Sequence, residues 1–307
     1  MRVMVVGATG LIGNALLRVW AGRGACVAAA TYHCHPGTEF RQLDMRDEAA
    51  VRTLLSETDP EVVAVPAANP HVDYCELHPE ETRRINVAGT LNVARACRER
   101  GARMIFFSSD YVFDGRKELY TESDAPSPIN EYGRQKAETE AGVLASDPRN
   151  LVIRTSGAYG WQWEPKNFVL QLLAKLGSGQ SLPVAADLRY NPTAAENLAA
   201  VLVELAAAQA RGIYHVVGAE AIARYDFAVK TAQAFGLAAS LLRPVSSAEL
   251  QSPTPRPKSS ALATGKVRAA VKTPLWGVEE GLRQMRETEA AWRVYAKRLP
   301  KTEKGSY

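Results

Sequence analysis

A doubly wound α/β fold built on a parallel sheet, with a smaller interleaved C-terminal lobe, is what this sequence predicts, on three observations. Strand-like and helix-like blocks alternate through the first 160 residues, the pattern of a parallel sheet with crossover helices. A glycine-rich turn, Gly7-Ala-Thr-Gly10-Leu-Ile-Gly13, joins the first strand to the first helix, as in Rossmann-type sheets. Beyond Gly160 strands thin out, prolines recur and helices sit between loops. A length of 307 residues suits two such lobes.

The elements follow in order. Val3–Val6 is a short apolar run stopped by Gly7, and Leu11–Trp20 has helical spacing. Val27–Thr31 reads as a second strand. Asp47–Ser56 reads as a helix whose acidic start suits the positive end of the helix dipole. Val62–Val65 is a third strand, Pro79–Arg100 a long helix closed by Gly101, and Met104–Ser108 a buried fourth strand. Tyr132–Leu144 is helical and Leu151–Arg154 another strand. In the second half, Asn167–Leu176, Leu198–Ala210 and Tyr225–Phe235 read as helices, and Gly212–Val217 as a strand that rejoins the first sheet. Four prolines in Pro244–Lys258 argue for a loop. The domains are therefore 1–157 joined by about 188–218, a substrate lobe of 158–187 and 219–290, and a basic tail at 291–307, polar and partly solvated or frayed.

Charge and composition exclude several classes. Lys+Arg 37 against Asp+Glu 33 gives +4, and residues 283–307 alone hold seven basic and three acidic side chains, so positions 1–282 sum to zero. A nucleic-acid-binding body would carry a clustered basic patch. No run of 18 apolar residues is present, and the opening apolar run is too short for a signal peptide. Cys26, Cys34, Cys75 and Cys97 lack paired spacing, so no disulfide framework and a cytoplasmic setting are expected. His33-Cys34-His35 has no further ligand at zinc-like spacing, so no metal is expected.

Two motifs carry chemistry. Glycines at 7, 10 and 13 allow a tight turn and close approach of a pyrophosphate to the helix amides, although such a turn can also serve strand–helix packing alone. Tyr132 and Lys136 stand one helical turn apart, where an ammonium would lower the pKa of a phenol and equip it for proton transfer. A Tyr-x-x-x-Lys pair is common on solvated helices. It gains meaning from Ser108-Ser109-Asp110-Tyr111 after the fourth strand, at the sheet edge where ligands bind.

Together the glycine loop, Ser109, Tyr132 and Lys136 resemble the extended short-chain dehydrogenase/reductases. More narrowly, Ser108–Gly115, Glu131–Glu140, Arg154-Thr-Ser156, Asn191-Pro-Thr193 and Gly212–His215 are similar to the dTDP-4-dehydrorhamnose reductases of dTDP-rhamnose biosynthesis. The same blocks resemble the NADP-binding regulatory β subunit of methionine adenosyltransferase. The reductase resemblance implies an NADPH-dependent oxidoreductase reducing the C4 keto group of a nucleotide-linked 6-deoxy sugar. It implies Tyr132 as general acid, Lys136 as its partner and a ligand of the nicotinamide ribose, and Ser109 as orienter of the carbonyl. Gly7, Gly10, Leu11, Ile12 and Gly13 would hold the pyrophosphate, Asp44 and Met45 would flank adenine, and Ala67 and Ala68 would let the cofactor lie across the third strand's end. Ala67 and Ala68 could equally be filler, and Asp44 a helix cap. Tyr111, Asn167, Arg189 and Arg256 are the implied substrate contacts; either arginine could instead be a surface residue. A homodimer is compatible with the resemblance; nucleic-acid and membrane partners are not expected. A sugar-nucleotide epimerase or dehydratase is the nearest alternative enzyme, disfavoured because Asp110 is followed by Tyr111 and not by Glu.

Cofactor choice rests on the second strand's end, Thr31-Tyr32-His33-Cys34-His35, which has no carboxylate until Glu39. NADP is therefore preferred, with Thr31, His33 or Arg41 available to a 2′-phosphate, and NAD remains open. One departure bears on the pocket: Gly157 stands where the reductases place tryptophan, leaving Trp161 or Trp163 to build that wall or to pack between lobes.

Overall fold

The computed structural model describes residues 1–32, 40–162 and 166–296. Its first half runs β1 (Arg2–Val5), α1 (Leu11–Gly22), β2 (Cys26–Tyr32), β3 (Arg41–Gln42), α2 (Glu48–Thr58), β4 (Val62–Val65), α3 (Val72–Leu77), α4 (Pro79–Arg83), α5 (Thr90–Arg100), β5 (Arg103–Ser109), α6 (Glu131–Ser146) and β6 (Leu151–Thr155). Next come β7 (Ala158–Tyr159), α7 (Phe168–Gly177), β8 (Leu182–Ala185), β9 (Arg189–Tyr190), β10 (Thr193–Ala194), α8 (Ala195–Ala207) and β11 (Gly212–His215). The chain ends through β12 (Ile222–Ala223), α9 (Arg224–Ala234), β13 (Leu242–Val245), α10 (Gly265–Ala270), α11 (Val278–Glu287) and α12 (Glu289–Ala296).

The central sheet has seven parallel strands in the order β11-β6-β5-β4-β1-β2-β3, the expected doubly wound α/β architecture. Alternation along each strand explains why its inner strands read as unbroken apolar runs. On β5, Ile105 and Phe107 face the core shared by α1 and α8, whereas Met104 and Phe106 face the core shared by α2 and α5. Val3 and Val5 against Met4 and Val6 divide in the same way. Burying each such side chain stabilises the fold by about 1.5–3 kcal/mol. Strand order reverses between β1's neighbours, which opens a crevice at the carboxyl ends of β1 and β4.

Outside the sheet, the segment between β6 and β11 and the chain after β11 together build a separate core, with Val169, Leu170, Tyr190, Phe227, Leu282 and Met285 as one cluster and Leu172, Leu176, Val184, Ala232 and Leu242 as a second. One expectation is overturned, at Pro244, and others are refined. Residues 79–100 are helical throughout, but 84–89 form a π segment. Pro244 lies in β13, which pairs in parallel with β8 in a two-stranded sheet; such an edge tolerates a residue without an N–H. Residues 291–296 continue α12 with Ala291, Arg293 and Val294 exposed to solvent, and Trp292 lies beside the Arg18 guanidinium at 5.8 Å.

Candidate active site

The crevice begins with the glycine turn. Gly7 has φ +88°, and a Cβ there would lie 2.8 Å from that of Ala67; one on Gly13 would lie 2.2 Å from the Gly7 carbonyl oxygen. These contacts let α1 start directly behind β1, and Gly10 precedes a first turn containing no acidic residue. The turn therefore offers amides to an anion, beside Leu11 and Ile12, and the cradle fits the pyrophosphate of a dinucleotide. Ala67 and Ala68 follow β4, half-buried, with the Ala67 N–H donating to Val6. Thr31 differs from expectation: it is buried, and its hydroxyl oxygen accepts from the Gly7 N–H at 3.2 Å, so it braces the turn and does not line the crevice. Asp44 holds Arg46 at 2.6 Å, and the cap of α2 is Asp47, whose carboxylate accepts from the Ala50 N–H. Met45 is buried, with its carbonyl accepting from Asn92. Arg41 pairs with Glu57 at 2.6 Å. His33, Cys34, His35 and Trp163 lie outside the described residues. Among the described residues no group of His, Cys, Asp and Glu is placed to hold a metal ion, and no helix is long and apolar enough to cross a membrane.

Ser109 closes β5. Its hydroxyl donates to Asp110 Oδ1 at 2.9 Å, and the Ser156 and Ser260 hydroxyls donate to Asp110 Oδ2. Asp110 is buried, which pushes its carboxyl up, and these three hydroxyls oppose the rise. Asn130 caps α6 through the Gly133 N–H and reaches Pro255 with its amide. A Cβ on Gly133 would lie 2.1 Å from the Tyr111 carbonyl oxygen, so this glycine brings α6 against the loop after β5. Tyr132 and Tyr111 meet edge-on, centroids 6.1 Å apart.

Lys136 Nζ donates to the Phe107 carbonyl at 2.7 Å and lies 5.7 Å from the Tyr132 ring centre. Burial lowers its ammonium to about 8, opposed by Cys75 and Glu140. Burial likewise raises the Tyr132 phenol well above its ordinary value; Cys75 and Asp110 add to this, and a hydrogen bond with Ser109 opposes it. The expected lowering by Lys136 is therefore overridden in the protein alone, because both groups are desolvated in the same pocket. Cys75 and Asn86 belong to this site unannounced by any motif. The π segment carries Asn86, whose amide donates to Asn69 and Gln135 and whose carbonyl accepts from Thr139.

The substrate side departs further from expectation. Asn167 caps α7 and donates to Gly160, so both ends of its side chain hold the fold. Arg189 is exposed on β9 and donates to Ala221. Arg256 pairs with Asp73 at 2.9 Å. Trp161 packs on Phe235 and donates to Met285, an interior packing role. The space at Gly157 (φ +50°) is filled by Tyr190: a Cβ at 157 would lie 2.2 Å from its Cε2. Arg224 lies 3.7 Å over the Phe168 ring and 5.9 Å from that of Tyr190. Tyr190 and Arg224 escaped the sequence reading; Gly157, standing where the resemblance expects a tryptophan, was the one available signal.

This exchange can be measured. Gly157→Ala is expected to cost about 1–3 kcal/mol through overpacking and left-handed strain. Tyr190→Gly should remove the overpacking part, leaving about 0.5–3 kcal/mol of favourable coupling in a double-mutant unfolding cycle. Strict additivity of the two penalties would sink the idea.

Comparison with known proteins adds the following. A family described as the RmlD substrate binding domain matches residues 1–290. The chain is 32% identical over 303 residues to a probable low-salt glycan biosynthesis reductase, Agl14, of Haloferax volcanii, covering 96% of this chain and 100% of that protein. It is 31% identical to the methionine adenosyltransferase 2 subunit beta of Xenopus laevis, over 90% of this chain and 87% of that one. The crystal structure of dTDP-4-dehydrorhamnose reductase from Bacillus anthracis, in complex with NADP, superposes with a TM-score of 0.82 at 28% identity, covering 93% and 98%.

Proposed function

The chain belongs to the RmlD substrate-binding-domain family and is an NAD(P)-dependent oxidoreductase, and from that premise we propose that it reduces the C4 keto group of a nucleotide-linked 6-deoxy sugar with NADPH. The observation that supports this reading is that the glycine turn after β1 and Ser109 at the end of β5, with Lys136 bonded to β5 and Tyr132 beside it, stand at the carboxyl ends of strands of one parallel sheet, where such folds bind their ligands. When bound, the dinucleotide supplies the hydride. Tyr132, held protonated by its buried surroundings, donates its proton to the substrate oxygen. Ser109, whose hydroxyl rests on Asp110 in the protein alone, turns its one O–H to the same carbonyl when substrate binds. Lys136 holds a charge beside the phenol below pH about 8 and stabilises the phenolate left once the proton has gone. We assign residues 1–157 with 188–218 to the dinucleotide side and 158–187 with 219–290 to the sugar side. The NADP-bound relative supports NADPH over NADH.

The test is NADPH oxidation across dTDP-, GDP- and UDP-linked 4-keto-6-deoxy sugars, with NADH as control. One equivalent of NADPH consumed per sugar reduced is the expected result. No turnover with any member, together with a stability effect on a methionine adenosyltransferase, would replace this reading with a regulatory one.

A further inference from the structure

We propose that Arg224, held against Phe168 and Tyr190, is a specificity-determining residue that binds the diphosphate of the nucleotide-sugar substrate; this rests on the reading above. Arg224 opens α9, and its own N–H donates to the Leu188 carbonyl, which fixes the start of the side chain beside β9. From there the guanidinium lies over the Phe168 ring at 3.7 Å and within 5.9 Å of the Tyr190 ring centre. Stacking of this kind engages the flat face of the guanidinium; one donor reaches the Tyr190 hydroxyl, and the other in-plane N–H groups are left for an acceptor. Among the described residues no carboxylate lies within ion-pair reach of Arg224, and the group is only half-buried.

Its charge is felt in the pocket. Arg224 opposes the upward push that burial exerts on the Tyr190 phenol, and it acts the same way on Tyr111, whose ring meets Tyr132. A cation without a carboxylate partner among the described residues, stacked on Phe168 and beside the Tyr190 ring that fills the space at Gly157, is arranged to take a bidentate oxyanion. The two rival arginines are less available. Arg256 already holds Asp73, which also accepts from Ser252, and Arg189 stands exposed with its guanidinium on a backbone carbonyl. The substrate class proposed above carries one such oxyanion whatever its base or sugar, namely the diphosphate bridge.

The experiment titrates dTDP and UDP, which lack the sugar, into the NADP-loaded full chain and its variants. Wild type is expected to bind at least one of them, Arg224→Gln at least about tenfold more weakly, with NADPH affinity unchanged. Arg224→Lys should recover only part of the loss, because an ammonium cannot stack or bind in bidentate fashion. Phe168→Leu, which keeps the charge and removes its platform, should weaken binding in the same direction and keeps the test alive if Arg224→Gln misfolds. With a competent sugar nucleotide, KM should rise and kcat stay within about threefold. Equal diphosphate affinity in wild type and Arg224→Gln overturns the assignment, as does absence of binding by wild type. Turnover by wild type with unchanged diphosphate affinity in the variant leaves the reductase reading standing. Arg224-dependent diphosphate binding without turnover of any 4-keto sugar upholds the assignment and removes the reductase reading.

Discussion

Replacing Tyr132 with phenylalanine is expected to lower NADPH-linked turnover about 10²–10⁴-fold while leaving dinucleotide binding intact. The substitution deletes one hydroxyl from a ring whose packing against Tyr111 and placement near Lys136 remain. The glycine cradle lies on another element and keeps its amides. Binding of NADPH, followed by its fluorescence, and steady-state oxidation separate the two effects. Full turnover by Tyr132→Phe would remove the phenol from the chemistry; loss of NADPH binding in step with activity would recast it as a structural residue.

A second large effect is expected where no ligand reaches. Arg154 on β6 is 1% exposed and meets Glu140 on α6 in bidentate fashion, at 2.9 and 2.7 Å. Its remaining neighbours are the Phe113 ring at 5.0 Å and the His215 imidazole at 3.5 Å. Burial lowers His215 to about 4, with Arg154 adding to the effect, so at neutral pH the imidazole carries no charge. Glu140→Leu therefore strands a guanidinium in the core and should cost about 3–5 kcal/mol in urea unfolding. Glu140→Leu with Arg154→Met removes both charges and should cost much less than the single change. Similar losses in the single and double variants would show that packing, and not an uncompensated charge, sets the penalty. Because Glu140 is one turn beyond Lys136, loss of the pair also loosens the helix that carries Tyr132.

What the sequence disclosed and what it withheld differ by distance along the chain. β1, β5 and β6 are legible because both faces of each strand are buried, so apolar residues run without a break through Met104–Phe107. Tyr132 and Lys136 are legible because one helical turn relates them, and the glycine turn because three residues of one loop make it. Gly157 and Tyr190 instead meet across thirty-odd positions, and Asp73 and Arg256 across 183, so nothing local signals either pairing. Thr31 carries the right chemistry for a ribose contact, but only the fold shows that its oxygen is already engaged by Gly7. The π segment at 84–89 is equally hidden, since apolar spacing cannot reveal one residue inserted into a helix. Pro244 misled because a proline rule for central strands does not govern a two-stranded edge.

The return of β11 to β6 has a consequence for how this chain folds. β6 pairs with β5 on one side and β11 on the other, and residues 156–211, including α7 and α8, lie between the two partners. Until that long excursion closes, β6 presents an unpaired edge whose first three residues, Leu151, Val152 and Ile153, are apolar and exposed to other chains. Closure entropy must be met before the contact between α1 and α8 repays it, so assembly is slow and the half-made sheet is prone to join its neighbours. The lobe that would select the substrate is thus also the step that seals the sheet, and a ribosome releasing only the first half of this chain releases a sticky intermediate.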